Sequence, residues 1–386
     1  MEIAGTITLK PGREASVLRF HPWVFSGGIA RKDGKLTDGC WVQVNDSRGK
    51  TLGFGHYQDA SISVRIVQFG SQLDNDVYAL RIRDAFALRM NAGVIHEHTN
   101  CFRLVHGEGD GLPGVIIDYY DKIAVVQAHS EGMNADKGLI AGALQAVLGS
   151  KLQAVYFKNT VSDAGEYLFG MASVPHVVLE HGQKFFVDWE SGQKTGFFLD
   201  QRENRALLAR YVYGKTVLNT FCYSGGFSVY GLRGSAAVMH SVDASAGAIE
   251  LCKKNLELNG FDANKHECFV GDTFDFFKKS ETKYDVIVLD PPAFAKHKEA
   301  KHQAMKGYQR LNAEAIRLIN PGGIIFTFSC SGVVDRKLFY DTVMSSAIQA
   351  GRQVKVLSHL TQPADHPVSA FHPEGEYLKG LVLYVA

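Results

Sequence analysis

The sequence lacks the features that mark metal-binding, secreted and membrane-spanning proteins. Its six cysteines include no CxxC pair, the usual spacing in zinc sites, and they are too scattered for the disulfide framework of a small secreted domain. No apolar run approaches the roughly 20 residues that a membrane helix needs, and the amino terminus has no basic segment followed by an apolar core. We therefore predict a cytoplasmic protein that is not anchored to a membrane and holds no metal.

The chain also lacks a net charge of either sign, because its 41 basic and 40 acidic side chains leave only +1. The whole molecule therefore has no field that attracts a polyanion, and any nucleic-acid site has to be a local patch. The first 72 residues contain nine basic and six acidic side chains. This surplus suits a polyanionic partner, and a solvated surface explains it nearly as well.

The length of 386 residues exceeds what one hydrophobic core usually organises, so more than one domain is expected. Residues 1–72 contain short apolar runs with alternating positions and predict a small all-β domain. Residues 73–185 mix helical and strand patterns and predict an α+β domain. In residues 186–386 apolar strands alternate with helices, which predicts a parallel sheet covered on both faces. The last two strands of the chain are joined without a helix and are expected to pair antiparallel.

Turn signals in the middle region predict two hairpins and one ordered loop. The runs VIIDYYDKIAVVQAH and VVLEHGQKFFVDW place turns at YYDK and HGQK. The segment HGEGDGLPG, residues 106–114, is rich in glycine and proline, and such residues mainly serve backbone geometry. We expect it to be an ordered turn without a catalytic role.

Polar residues follow the apolar strands of the third region. They are Asn219, Asp243, Asp272, Asp290 and Cys330. In an open α/β sheet the ligands bind outside the carboxyl ends of the strands. These five side chains are therefore predicted to meet at one edge of the sheet, where they would form the site.

The turn NTFCYSGGF after the first of these strands lacks the GxGxxG fingerprint of dinucleotide-binding proteins. A cofactor with a nucleoside and a carboxylate but no phosphate does not require the close approach of the backbone that a pyrophosphate requires. Asp243 is placed to accept hydrogen bonds from ribose hydroxyls, and Asp272 from an adenine amino group, although each acid could equally be a helix N-cap. Together these features favour S-adenosylmethionine (SAM) over NAD.

Seven segments form a recognisable set, namely HPWVFSGGI, KTGFFLDQREN, NTFCYSGGF, DPPAF, FSCSG, DHP and PEGEYLKG. As a set they resemble a known family, the PUA-containing class I RNA methyltransferases that make 5-methylcytosine in bacterial large-subunit (23S) ribosomal RNA. The resemblance covers essentially the whole chain. It implies a PUA domain that binds RNA (1–72), an α+β middle domain (73–185) and a Rossmann-like catalytic domain (186–386).

The resemblance also implies roles for individual residues. Cys330 matches the nucleophile, and Asp290 the acid that activates the base. The predicted cofactor-binding residues are Phe198, Gln201, Arg202, Asn219, Thr220, Phe221, Ser224, Gly225, Gly226, Asp243, Ala244, Asp272 and Asp290. For Gln201 and Arg202, exposed polar side chains at the start of a helix are an equal alternative.

Methylation at carbon 5 of cytosine requires a nucleophile, because addition of a thiolate to carbon 6 makes carbon 5 reactive toward the methyl group. A free thiol has a pKa of about 8.5, so Cys330 needs activation. Pro291 and Pro292 fix the backbone after Asp290, and Phe294 offers a ring on which an extruded base can stack. Ala293 stands where related RNA enzymes carry a second cysteine that helps release the product.

The simplest interpretation of the cysteines is a structural role in the buried core, because cysteine is one of the residue types most often buried. We interpret Cys252 and Cys268 as core residues and Cys222 as either packing or contacting the cofactor. Cys330 differs, because it lies at the polar exit of its strand. The run 296–310 beside the DPPAF turn has a net charge of +4 and predicts phosphate binding. Its basic residues are Lys296, Lys298, Lys301, Lys306 and Arg310.

Two other functions and one assembly state stay open at this point. DPPAF also resembles the turn of enzymes that methylate exocyclic amino groups, so a purine amino-group methyltransferase acting on RNA is an alternative. A second alternative is a non-catalytic RNA-binding or ribosome-assembly factor with a vestigial cofactor pocket. The oligomeric state is open, with a homodimer as one option.

Overall fold

The computed structural model describes residues 1–159, 165–295 and 297–386, and the chain divides into two compact units. The first unit comprises Met1–Val178, Val187–Leu199 and Ala364–Gly375, and the second comprises Leu179–Phe186, Asp200–Pro363 and Glu376–Ala386. The three domain boundaries that the sequence suggests stay a prediction. No helix in the described ranges is both long and apolar enough to cross a membrane.

The amino-terminal part of the first unit is a six-stranded sheet, as the alternating apolar positions predict. Its strands are β1 (Ile3–Leu9), β2 (Trp23–Phe25), β3 (Ile29–Gly34), β4 (Trp41–Asn45), β5 (Thr51–Tyr57) and β6 (Ile62–Phe69), in the order β2-β6-β5-β4-β1-β3. One short helix, α1 (Glu14–Leu18), lies between β1 and β2. Alternate side chains of the strands form the buried core of this sheet, among them Val42, Val44, Val64 and Ile66.

A second, five-stranded sheet completes the first unit together with three helices. The strands are β7 (Cys101–His106), β8 (Val115–Tyr120), β9 (Ile123–Ala128), β10 (Ala154–Asn159) and β11 (Gly165–Phe169), and the helices are α2 (Val77–Asn91), α3 (Glu131–Ala135) and α4 (Lys137–Leu148). Trp41 and Phe54 of the first sheet belong to the same buried cluster as the core of this sheet. The two sheets of the unit therefore share apolar packing.

The predicted turns of the middle region are confirmed. Strands β8 and β9 pair antiparallel, and Asp121 and Lys122 between them have positive φ. Strands β12 (His176–Glu180) and β13 (Gln183–Val187) form a two-stranded sheet that turns at His181 and Gly182. The segment 106–114 is an ordered turn, because the carboxylate of Asp110 accepts hydrogen bonds from the side chain of Arg89 and the backbone N–H of His106.

The second unit is built on a seven-stranded sheet, which confirms the predicted α/β class. The strands are β14 (Thr216–Thr220), β15 (Val238–Asp243), β16 (His266–Val270), β17 (Tyr284–Leu289), β18 (Ile319–Ser329), β19 (Val354–Leu360) and β20 (Lys379–Val385), in the order β16-β15-β14-β17-β18-β20-β19. The helices are α5 (Arg202–Leu208), α6 (Gly226–Arg233), α7 (Ala246–Leu258), α8 (Thr273–Lys279), α9 (Lys301–Leu318) and α10 (Arg336–Ala350).

Strand direction in this sheet agrees with the sequence pattern. The first five strands in the spatial order are parallel to one another, and β20 runs antiparallel to both β18 and β19. The change of strand order falls at β14, which pairs with β15 on one side and β17 on the other. Ligands bind at such switch points, outside the carboxyl ends of the strands.

Candidate functional site

Four of the five predicted strand-end residues lie where the sequence suggests. Asp243 is the last residue of β15, Asp290 directly follows β17, Cys330 directly follows β18, and Asp272 lies two residues after β16. Because these strands are parallel, their carboxyl ends share one edge of the sheet. The chemical roles of these residues stay predictions.

Asn219 differs from the other four because it lies inside β14 and is only 1% exposed. Its Nδ2 donates to Ser228 Oγ on α6 at 2.9 Å, and that hydroxyl lies 2.7 Å from Ser241 Oγ on β15. The expectation of a side chain at a polar strand end was wrong for Asn219. Within the described residues its Oδ1 has no hydrogen-bond partner, which leaves one buried acceptor available in this part of the sheet.

The turn between β14 and α6 is held in shape by Asp243. Its Oδ2 accepts the backbone N–H of Tyr223 at 3.0 Å, and its Oδ1 accepts that of Ser245 at 2.9 Å. Phe221 and Tyr223 have positive φ, which is uncommon for such residues. The carboxylate thus stabilises a turn whose backbone adopts unusual conformations, at the mouth of the predicted cofactor site.

The two acids differ in their relation to the helices. Asp272 is the N-cap of α8, since its Oδ1 accepts the N–H groups of Phe274 and Asp275 at 2.9 and 3.1 Å. The N-cap of α7 is Ser245, so the N-cap interpretation is correct for Asp272 and wrong for Asp243. Asp272 is exposed and Asp243 half-buried.

Gly225 and Gly226 bring the backbone close to neighbouring side chains. Gly225 has a φ of +73°, and a Cβ there would lie 2.5 Å from Cys252 Sγ. A Cβ at Gly226 would lie 2.9 Å from Cδ of Arg205, whose guanidinium forms a buried ion pair with Glu180. Side chains larger than hydrogen do not fit this turn without displacing its surroundings.

These features fit the predicted SAM cofactor. A carboxylate offers about four lone-pair sites, so Asp243 can hold its two backbone N–H groups and still accept hydrogen bonds from ribose hydroxyls. The glycine turn leads into α6, and the first N–H groups of a helix can bind a carboxylate group. The buried acceptor of Asn219 lies on the strand that leads into this turn.

Asp290 is held by a relay of two amide side chains at the start of α5. Gln201 Nε2 donates to Asp290 Oδ1 at 3.0 Å, and Asn204 Nδ2 donates to Gln201 Oε1 at 2.6 Å. Gln201 and Arg202 are only 3% and 1% exposed, so the alternative of exposed polar side chains at this helix start was wrong. The relay fixes the orientation of the Asp290 carboxylate.

Cys330 lies beside the turn that begins at Asp290. Its Sγ lies 4.0 Å from the carbonyl oxygen of Pro291, and the neighbouring Ser331 Oγ donates to the carbonyl oxygen of Ala295 at 2.7 Å. Cys330 is half-buried, whereas Cys252 is completely buried. The structure therefore brings the predicted nucleophile and the predicted acid to adjacent loops of one edge.

Tyr308 on α9 supports both loops and was missed by the sequence analysis. Its hydroxyl accepts a hydrogen bond from Ser329 Oγ at 3.0 Å, and its ring centroid lies 4.7 Å from that of Phe294. Burial raises the pKa of Tyr308 to about 12, so the hydroxyl stays protonated near neutral pH. The ring of Phe294, half-buried, is the group proposed for stacking, and Tyr308 holds it in place.

Lys379, the first residue of β20, was also missed. It is 4% exposed, and its Nζ donates to the carbonyl oxygen of Ser331 at 2.6 Å. Burial lowers the pKa of Lys379 to about 8, and negative charge on Cys330 acts in the opposite direction. The segment PEGEYLKG contained this residue, but nothing local distinguishes it from a solvent-exposed lysine.

The remaining cysteines near this edge are packed together. Cys252 Sγ lies 3.9 Å from Cys268 Sγ. The pKa of the Cys252 thiol is raised, mainly by a hydrogen bond with Cys222 and to a smaller extent by burial. Cys222 and Cys252 are buried and Cys268 is half-buried. Packing is therefore the role that the structure supports for these three thiols.

The basic run 296–310 is only partly described. Lys296 and the side chain of Lys298 lie outside the described residues. Lys301 Nζ lies 4.0 Å from Asp335, Lys306 is exposed, and the guanidinium of Arg310 lies 4.5 Å from the ring centre of Phe274. Lys301 and Lys306 are the described lysines of the run that face outward from α9.

Other predicted site residues are distributed as follows. Phe198 is part of the first unit, where Lys194 Nζ lies 4.2 Å from its ring centre. Thr220 ends β14, and its hydroxyl donates to the carbonyl oxygen of Val288 on β17 at 2.8 Å. Ser224 is buried in the glycine turn, and Ala244 is exposed next to Asp243.

Comparison with known proteins matches this chain to models of two families. A family model for S-adenosylmethionine-dependent methyltransferases matches residues 125–376, and a model for PUA-like domains matches residues 7–69. Ribosomal RNA large subunit methyltransferase I from Klebsiella pneumoniae is 39% identical over 98% of both chains. The protein of that name from Aeromonas hydrophila is 39% identical over 99% of both.

Solved structures show the same fold. A protein assigned as a SAM-dependent methyltransferase from Streptococcus mutans has a TM-score of 0.85 at 23% identity, covering 99% of this chain and all of that one. A further methyltransferase structure, complexed with S-adenosylhomocysteine, has a TM-score of 0.86 at 24% identity over 99% of this chain. At this identity the likeness establishes the fold.

Proposed function

The chain belongs to the S-adenosylmethionine-dependent methyltransferases, in the family that includes ribosomal RNA large subunit methyltransferase I, and from this premise we propose that it makes 5-methylcytosine in large-subunit ribosomal RNA through a covalent adduct on Cys330. The cofactor is SAM, which supplies an electrophilic methyl group when bound. The PUA-like domain would contribute to RNA binding.

The observation that carries the proposal is the position of Cys330. Its half-buried thiol lies at the carboxyl edge of the sheet, 4.0 Å from the carbonyl oxygen of Pro291, the residue after Asp290. An enzyme that methylates an exocyclic amino group needs no thiol there. A nucleophile beside a carboxyl group that can hydrogen-bond the base is the arrangement required for attack at carbon 6.

Each residue would have a defined part in the reaction. Cys330 Sγ, as a thiolate, forms a bond to carbon 6, and Asp290 hydrogen-bonds the N3 and exocyclic amine edge so that the adduct's electrons accumulate at carbon 5. After methyl transfer, a base or solvent takes the proton from carbon 5. The electrons of that C–H bond re-form the double bond between carbons 5 and 6 as the bond to Sγ breaks, which restores the aromatic base and the thiolate. Gln201 keeps Asp290 oriented, and Phe294 would stack on the extruded base.

The first test is Cys330→Ala assayed on ribosomal RNA from cells that lack the protein, with mass spectrometry of the nucleosides. We expect 5-methylcytidine formation to fall at least about 1,000-fold, because the nucleophile is removed. Cys40→Ala is the matched control, since Cys40 is a half-buried cysteine in the first unit, and it should leave the rate unchanged. A second readout is an SDS-stable complex with RNA that contains 5-fluorocytosine, which blocks release at carbon 5.

The alternatives predict different results. Full activity of Cys330→Ala, with a methyl group on a purine amino nitrogen, would replace the proposal by amino-group methylation. Absence of SAM binding in calorimetry would favour a non-catalytic RNA-binding factor. Tight SAM binding that is abolished in Asp243→Ala would count against this non-catalytic alternative, because Asp243 supports the cofactor turn.

A further inference from the structure

We infer that Lys379 is a positioning residue that holds the thiol of Cys330 as a thiolate, ready to add to the base. The inference rests on the proposed function, because only a nucleophilic Cys330 needs this form. It addresses a requirement that the sequence left open, namely what activates the thiol. It also names a group from β20, the antiparallel strand, as part of the site.

The sheet places Lys379 directly across from the segment that carries the cysteine. Lys379 opens β20 and pairs with Ser329, the last residue of β18, in the antiparallel register. Its Nζ then reaches past this pair to the carbonyl oxygen of Ser331, at 2.6 Å. The pairing with Ser329 and the contact with Ser331 thus place Lys379 beside the segment that carries Cys330.

A buried lysine needs compensation, since burial of an ammonium group without a charged partner is unfavourable. Among the described residues, Nζ has no carboxylate within ion-pair distance, and its hydrogen-bond acceptor is the neutral carbonyl of Ser331. Once ionised, Cys330 is the strongest of the negative charges that raise the pKa of Lys379, and Glu376 follows. The interaction is mutual, so the ammonium of Lys379 stabilises the thiolate of Cys330 by the same amount.

The other charged groups around Lys379 do not remove this effect. Glu376 is ion-paired with Arg336, and Asp335 caps α10 through the N–H of Leu338 at 2.8 Å. Tyr308 is neutral near neutral pH, because burial raises its pKa to about 12, and Asp290 is an acid, so neither supplies the positive charge that stabilises a thiolate. Lys379 is thus a buried cation beside these groups, among the residues that the structure describes.

The proton balance of the step is simple. The bond between Sγ and its proton breaks, the proton passes to solvent, and the ammonium of Lys379 keeps its positive charge beside the thiolate. Burial lowers the pKa of Lys379 to about 8, which is still above neutral pH, so the ammonium is present when the thiol ionises. No further reactant is required, and the thiolate electron pair remains available for the bond to carbon 6.

The test measures the alkylation of Cys330 by iodoacetamide as a function of pH in the full-length protein, with the modified peptide identified by mass spectrometry. We expect a midpoint at least about one pH unit below the value of about 8.5 for a free thiol. Lys379→Met should raise the midpoint by about one unit, so that alkylation at pH 7 slows about tenfold. Lys379→Arg should keep the low midpoint, because it keeps the charge.

Two further variants control for structure. Lys355→Met removes an exposed lysine from the neighbouring strand β19 and should leave the profile unchanged. Lys379→Gln keeps an N–H donor for the Ser331 carbonyl and removes the charge, so it should behave like Lys379→Met. The wild-type profile is measured without any variant, so the inference stays testable even if Lys379→Met and Lys379→Gln both fail to fold.

The inference is overturned if the wild-type midpoint is about 8.5 or higher, or if folded Lys379→Met and Lys379→Gln keep the wild-type profile. The assay contains neither RNA nor cofactor, so its result is independent of the reaction. If the profile shifts as expected while Cys330→Ala retains full methyl transfer, the thiolate inference holds and the proposed function fails. If Cys330→Ala is inactive and the profile does not depend on Lys379, the proposed function holds and the inference fails.

Discussion

At the scale of single residues, the orientation of Asp290 depends on a side chain that does not react. Gln201 donates to Asp290 at 3.0 Å and is itself held by Asn204 at 2.6 Å. We predict that Gln201→Leu lowers kcat for methyl transfer about 10- to 100-fold, because a carboxyl group without this partner loses its fixed geometry. Steady-state kinetics with labelled SAM measure this effect. Gln353→Leu, which changes an exposed glutamine before β19, is the control.

The contrary result for Gln201 is also informative. Unchanged kcat with a raised KM for SAM would mean that the side chain binds the cofactor, as the family resemblance implies, and does not orient Asp290.

Sequence patterns identified some of these residues and missed others for a physical reason. Asp290 and Cys330 were found because each follows an apolar run, and that signal is local. Lys379 was missed because its burial results from antiparallel pairing with Ser329, which lies in a distant part of the chain. Tyr308 was missed for a related reason, since one tyrosine on an amphipathic helix gives no sign of the Ser329 hydroxyl that it meets in the fold.

At the scale of elements, the turn before α6 depends on glycine at position 225. The residue has a φ of +73°, and an added Cβ would lie 2.5 Å from Cys252 Sγ and 3.2 Å from its Cα. We predict that Gly225→Ala lowers the free energy of unfolding by about 1–3 kcal/mol and weakens SAM binding. Chemical denaturation and calorimetry measure the two effects.

A matched glycine serves as the control for this prediction. Gly247 lies in the first turn of α7, and a Cβ there meets only Ser245 Oγ, at an ordinary van der Waals distance of 3.8 Å. Gly247→Ala should therefore leave stability unchanged or raise it slightly. Equal destabilisation of both variants would contradict the role given to the Gly225 conformation.

The start of α8 separates a structural role of Asp272 from a binding role. Asp272 caps the helix through two backbone N–H groups, and removal of such a cap costs about 1 kcal/mol. We predict that Asp272→Ala lowers the free energy of unfolding by this amount, whereas Asp272→Ser, which can still cap, does not. Both variants should weaken SAM binding about tenfold if the carboxylate accepts a hydrogen bond from adenine. Normal affinity in Asp272→Ser would leave capping as its function.

The order of elements in the second unit was largely predictable, and the side-chain packing within it was not. Parallel strands buried on both faces appear as apolar runs, which the sequence displays directly. The conformation of Asn219 depends on Ser228 and Ser241 from two other elements, so no local pattern indicates that its side chain turns inward. The burial of Arg205 likewise requires Glu180, which lies on a hairpin that the sequence assigned to the middle region.

At the scale of the whole molecule, a net charge of +1 means that RNA affinity has to come from placed charges. We predict that the double variant Lys301→Ser/Lys306→Ser binds a large-subunit ribosomal RNA transcript more weakly. The slope of log K against log salt concentration should also become shallower, by about 0.7–0.9 for each phosphate group that these two lysines neutralise. Lys253→Ser/Lys254→Ser on α7 removes the same total charge and is the matched control. Titrations at several salt concentrations compare the two. If both pairs weaken binding equally, total charge decides affinity and α9 is not a phosphate-binding surface; if only the first does, the lysines beside the DPPAF turn position the RNA at Cys330.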